Sequence, residues 1–143
     1  MPKLLLTHVP QARRQYYGER ALGRLRELLD VSLHEGTVPL DAKGLIAAAA
    51  DCDYIIADRA TPVPGEVFAG LPNLKVVMRS AIDIRNIDQV AASKAGVLVT
   101  HAEAGFIKSV VELTVGFLVD LSRGITRAAT RSEEHTSELQ SHL

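Results

Sequence analysis

The chain has 143 residues, a formal net charge of −1, 47% hydrophobic residues, a single cysteine and no tryptophan. This size and balance describe one globular α/β unit and leave no room for a second full domain. The near-neutral charge removes the electrostatic case for nucleic acid, and the lone Cys52 cannot form an internal disulfide.

In chain order, Leu4 to His8 reads as a first strand. Glu19 to Leu29 reads as a helix with Leu22, Leu25 and Leu28-Leu29 on one face. Val31 to His34 and Asp53 to Ala57 supply two further strands, with the helical run Ala42 to Ala50 between them. Pro62-Val63-Pro64-Gly65 opens a brief helix, and Pro72-Asn73 leads into a fourth strand, Leu74 to Met78, which stops at Arg79-Ser80. A polar loop, a short helix, a fifth strand at Val97 to Thr100, a hinge and a long apolar helix from Ile107 to Arg127 follow. Five strands alternating with helices imply a parallel sheet with helices on both faces, joined by right-handed crossovers. The apolar stretch at Lys3 to Thr7 is too short for a secretion signal and precedes Arg13-Arg14, so a cytoplasmic protein is expected. The long helix carries Lys108, Glu112 and Asp120, so it is no membrane span. From Arg131 to Leu143 the chain loses any apolar face. That segment resembles an in-frame translation of a sequencing-adapter oligonucleotide, and a non-biological tail is expected there.

Leu74 to Gly124 holds three blocks in a fixed order. The first is Val76-Val77-Met78-Arg79-Ser80-Ala81-Ile82-Asp83-Ile84-Arg85-Asn86-Ile87-Asp88; the second runs from Ala91-Ala92 through Gly96-Val97-Leu98-Val99-Thr100; the third is Val110-Val111-Glu112-Leu113-Thr114-Val115-Gly116. Together they resemble the D-2-hydroxyacid dehydrogenases, a family that includes phosphoglycerate, glycerate and formate dehydrogenases. The resemblance implies a flavodoxin-like five-stranded sheet in the order 2-1-3-4-5. It divides the chain into a substrate domain over 1–105, the start of a helix crossing into a nucleotide-binding domain over 106–130, and the tail. It also implies hydride transfer between a 2-hydroxy acid, or the matching 2-keto acid, and NAD or NADP, in a homodimeric parent.

By the same resemblance the backbone amides of Ala81, Ile82 and Asp83 hold the substrate carboxylate. Ile82, Phe106 and Val110 approach the nicotinamide end of the cofactor; an ordinary core or interdomain contact is the other reading of Phe106 and Val110. The chain departs from the family by carrying Ala81-Ile82-Asp83 where Gly-Val-Gly is usual and Arg85 in place of an aspartate. Glycine there suits a positive φ, which aspartate tolerates better than most residues. A carboxylate beside an anionic substrate weakens binding unless Arg79 or Arg85 compensates. Arg59, just after the third strand, is either a substrate contact or an ion-pair partner of Asp58 or Glu66.

No G-x-G-x-x-G is present, and the family's catalytic arginine, glutamate and histidine belong to sequence downstream of Leu143. No catalytic residue is assigned, and the span by itself is expected to be inert. His101 follows the fifth strand, but the family often has asparagine there. His8 and His34 sit on separate short strands without metal-site spacing, so no metal is assigned. Glu112, flanked by Val111 and Leu113, reads as a charge supporting the cleft. A free-standing flavodoxin-like binding or interaction module is the alternative. A receiver domain would need acidic residues after the first strand, where Thr7-His8-Val9 stands, and Asp58 alone lies near the second required position.

Overall fold

The computed structural model describes residues 1–132. Two compact units divide the chain, the first from Met1 to Glu103 and the second from Ala104 onward. In the first unit five strands, β1 (Lys3–Leu6), β2 (Asp30–Leu33), β3 (Tyr54–Ala57), β4 (Val76–Arg79) and β5 (Leu98–His101), form one sheet. All neighbours are parallel and the order is β2-β1-β3-β4-β5. This is the order that the resemblance implies, and the register aligns Ala57, Arg79 and His101 across three strands at one edge.

The helices of this unit are α1 (Pro10–Tyr16), α2 (Glu19–Leu28), α3 (Ala42–Ala48), α4 (Gly65–Gly70) and α5 (Gln89–Lys94). Leu5, Ile55, Ala57 and Val77 point to one face and pack with Leu45, Ala49, Val67, Phe68 and Ala92, which α3 to α5 and the turn after α3 supply. Leu4 and Leu6 alternate with Leu5 and so face the other side, where the buried Leu22 of α2 lies. Right-handed crossovers demand this split, because the chain reverses direction across the sheet after β2. Each large side chain withdrawn from water contributes roughly 1.5–3 kcal/mol.

Side-chain caps fix two helix starts: Asp41 Oδ1 accepts from Gly44 N at 2.7 Å and Asp88 Oδ1 from Ala91 N at 2.9 Å. Gly96, at φ 71°, turns the chain from α5 into β5 in a conformation that side chains disfavour.

The structure adds α1, which the periodicity did not suggest. None of its residues is buried, and its one local signal is Pro10 in the first turn. The second unit is helical. Its helix α6 spans Ile107–Arg123 and stops where Gly124 adopts a left-handed φ of 66°, with Gly124 N donating to Asp120 O at 2.7 Å. Residues 125–132 are helical again, so the expected unbroken helix to Arg127 is interrupted at Gly124. The expected tail lies outside the described residues beyond position 132. Among the described residues no helix is long and apolar enough to cross a membrane.

Candidate functional site

Parallel sheets gather their chemistry where strand carboxyl ends open into loops. At that edge of the first unit stand Thr7 and His8 after β1, Asp58 and Arg59 after β3, and Ser80 to Asn86 after β4. The floor is a buried polar network. Thr7 Oγ1 donates to Asp58 Oδ1 at 3.0 Å, and Asp58 N donates back to Thr7 Oγ1 at 3.0 Å. Thr61 N also donates to Asp58 Oδ1, at 3.0 Å, which fastens the loop after β3.

Asn86 ties that loop to the one after β4. Its Nδ2 donates to the carbonyls of Arg59 at 3.1 Å and Thr61 at 3.2 Å, while its Oδ1 accepts from Arg79 Nη2. A parallel bridge of Val63 with Ile87 backs these contacts: Val63 N donates to Asn86 O at 2.8 Å and Asp88 N to Val63 O at 2.9 Å. Arg79 is buried to 2% exposure, and burial lowers its pKa against the opposing pull of the nearby Asp58 and Asp83.

Between these anchors the segment Ala81–Ile82–Asp83 bulges outward, half-buried at Ala81 and Asp83 and exposed at Ile82. Among the described residues no protein group accepts a hydrogen bond from the three amides. Asp83 does not take a positive φ, since among the described residues only Gly96 and Gly124 do. The loop therefore dispenses with the left-handed conformation that glycine would have supplied. A local clasp joins Asp83 to Arg85: Arg85 N donates to Asp83 Oδ1 at 3.0 Å, and Arg85 Nε and Nη2 reach the carboxylate at 2.9 and 2.7 Å. These bonds hold the Asp83 carboxyl far below the usual carboxylate range, the side-chain bond from Arg85 first and its backbone amide second. The compensation for the added carboxylate thus comes from Arg85.

Arg59, Asp83, Arg85 and Asn86 line an open pocket of about 320 Å³. Among the described residues the Arg59 side chain forms no ion pair, with Asp58, Glu66 or any other group. It lines the pocket beside Asp83, whose pKa its charge helps to lower. Arg59 and Asn86 belong to the candidate site although sequence reasoning gave neither a settled role; Asn86 was legible inside the first block.

Of the histidines, His8 is buried, with Nε2 3.1 Å from Ser80 Oγ. His34 Nε2 lies 2.8 Å from Val38 O, and His101 Nδ1 lies 3.0 Å from Ala102 O. Among the described residues no three His, Cys, Asp or Glu side chains gather as a metal site would require. Phe106 and Val110 belong to the second unit, on successive turns at the start of α6, where Val110 N donates to Phe106 O at 3.0 Å. Both are exposed, and Glu112 sits on the same helix, also exposed.

Comparison with known proteins places this arrangement. The family model described as D-isomer specific 2-hydroxyacid dehydrogenase, catalytic domain, matches residues 4–140. The chain is 38% identical over 96 residues to D-3-phosphoglycerate dehydrogenase of Mycobacterium bovis, covering 67% of this chain and 18% of that protein. It is 32% identical over 111 residues to glyoxylate reductase of Thermofilum pendens, covering 77% and 33% respectively. A solved protein of Pyrococcus horikoshii superposes with a TM-score of 0.67 at 26% identity, over 91% of this chain and 36% of the other. The chain thus spans about a fifth to a third of the length of these curated relatives. It belongs to the D-isomer specific 2-hydroxyacid dehydrogenase family, and what it presents is that family's catalytic domain.

Proposed function

We propose that the protein carrying this span is an NAD(P)-dependent oxidoreductase that interconverts a 2-hydroxy acid and its 2-keto acid, and that this span binds the acid. The observation that carries the reading is the loop of three amides for which no acceptor is found among the described residues, near Arg59, which forms no ion pair among them. Amides left without an internal acceptor are available to donate to an anion, and a neighbouring cation raises the local concentration of carboxylates. In this reading Ala81, Ile82 and Asp83 receive the carboxylate through their N–H groups. Arg79 and Asn86 hold the loop in register from below, and the clasp of Arg85 on Asp83 keeps a second carboxylate from repelling the first.

The cofactor contacts assigned to Ile82, Phe106 and Val110 are kept in the proposal. The bound nicotinamide would deliver or accept the hydride. The described residues contain no glycine-rich turn from strand to helix of the kind that holds a pyrophosphate, so they fit the substrate and not the body of a dinucleotide. The domain limits 1–105 and 106–130, the origin of the tail, the homodimeric state and the cytoplasmic location belong to the same proposal.

The test is an assay of the full-length protein with NADH and NADPH against a panel of 2-keto acids, beside amide NMR of the 143-residue chain during titration with the same acids. Turnover with at least one acid, together with shifts at Ala81, Ile82 and Asp83, is expected. The 143-residue chain alone should turn over none of them. Absence of turnover across the panel, with those amides unmoved, would overturn the proposal.

A further inference from the structure

The carboxyl edge holds two further side chains, Ser80 and His8, that the carboxylate cradle does not use. Ser80 is exposed where β4 ends, and its Oγ lies 3.1 Å from Nε2 of His8, a residue 72 positions away in the chain. His8 is 3% exposed, wedged edge-on against Tyr17 at 5.1 Å and Tyr16 at 6.3 Å between ring centroids. Its Nδ1 is buried without a hydrogen-bond partner among the described residues. A hydroxyl bonded to a neutral imidazole, on a sharp turn out of a strand and followed at once by amides with no internal acceptor, has the parts of an acyl-transfer site.

We propose that Ser80 and His8 form a nucleophile and base pair that accepts the acyl group of a small carboxylic ester. With the neutral ring protonated on Nδ1, Ser80 Oγ bonds to the acyl carbon while its proton passes to His8 Nε2. The developing oxyanion meets the Ala81 amide, in the place where a residue following a nucleophile commonly donates. The bond between the acyl carbon and the alcohol oxygen then breaks, and the departing alkoxide takes the proton from His8. Water repeats the sequence, its proton going first to His8 and then to Ser80, so carboxylic acid leaves and the serine is restored. No electrons change hands.

The surroundings keep the base neutral. Burial lowers the His8 pKa below 6.5, opposed by Asp58 and reinforced by Arg79 and Arg13, while Tyr16 and Tyr17 from α1 and the turn after it complete the groups facing the ring. Burial raises the Tyr17 phenol, opposed by a side-chain hydrogen bond with Ser80, so Tyr17 also contacts the Ser80 hydroxyl. The pair has no third member on Nδ1, so its activity should be well below that of a complete triad.

The experiment uses the 143-residue chain and p-nitrophenyl acetate, with phenolate release followed by absorbance and the acetylated residue located by peptide mass spectrometry. An acetyl group on Ser80 is expected, formed at a rate that rises with pH through a single midpoint below 6.5 and then levels. Ser80→Ala should abolish the adduct, and His8→Gln, which keeps a hydrogen-bonding side chain, should slow its formation by about a hundredfold, the lower end of what a positioned base contributes. Circular dichroism checks that each variant is folded. If neither variant folds, the unmodified chain decides alone: acetyl on lysine, on Tyr17 or on His8 with none on Ser80 overturns the proposal. So does an unchanged rate in folded His8→Gln. The test is separate from that of the dehydrogenase reading, although both use the Ala81 amide, because its readout needs neither nicotinamide nor keto acid.

Discussion

Asp83 brings a negative charge to a loop proposed to bind an anion, and Arg85, two positions on, neutralises it through a two-pronged clasp. In the full-length protein Arg85→Ala should bare the carboxylate and raise KM for a monocarboxylate by roughly two- to fivefold, the scale expected of a solvent-screened pair. Asp83→Gly should free the guanidinium and lower KM by a similar factor. Steady-state kinetics on both variants checks this, and an unchanged KM in both would place the pair away from the acid. His8 supplies a second prediction. Its folded pKa lies below the ordinary 6.5, so between those two values the unfolded chain binds more protons than the folded one. Stability contributed by the neutral ring is therefore complete above about pH 6.5 and is lost as pH falls toward the lowered value. Urea midpoints should fall from pH 7 to pH 5, and His8→Gln should flatten that fall. A steeper fall in the variant would exclude His8 as its source.

At the scale of elements, short helices depend on their ends. Helix α3 has seven residues, and Asp41 satisfies one of its first amides. Asp41→Ala should cost about 1 kcal/mol in a denaturant titration, whereas Asp41→Asn should cost a few tenths at most. Equal losses would mean that the charge of Asp41, and not its capping oxygen, stabilises the helix. Most elements were legible because their signals are local: leucines at helical spacing in α2, β-branched runs in β3 and β4, proline and glycine ahead of α4. Helix α1 was not, because it buries no residue and so has no apolar stripe to read. Gly124 ends α6 through its own backbone conformation, which an apolar pattern running on to Ile125 concealed.

At the scale of the whole molecule the second unit exposes the most apolar surface along one helix. Ile107, Val111, Leu113, Phe117, Leu118 and Leu121 of α6 are each more than half exposed and spread around the helix beyond the stripe that one-sided packing needs. Each leaves roughly 1.5–3 kcal/mol of burial unrealised. The 143-residue chain should self-associate, and Phe117→Glu should shift it toward monomer in light scattering. A monodisperse monomer of the unmodified chain would show that these side chains are covered without a second copy.

The sequence by itself determined the alternation of strands and helices. The three blocks, each local in the chain, carried the resemblance to the family, and that resemblance implied the 2-1-3-4-5 order that the sheet adopts. It also placed Ala81, Ile82 and Asp83 at a strand's carboxyl end, because β4 stops abruptly at Arg79. What only the tertiary structure decided is which polar groups meet there. Thr7 reaches Asp58 across 51 positions and His8 reaches Ser80 across 72, while Arg59 is left without an ion pair among the described residues. Such partners are set by strand register, in which a slip of one residue sends every side chain to the opposite face, and no local pattern in either segment carries that information.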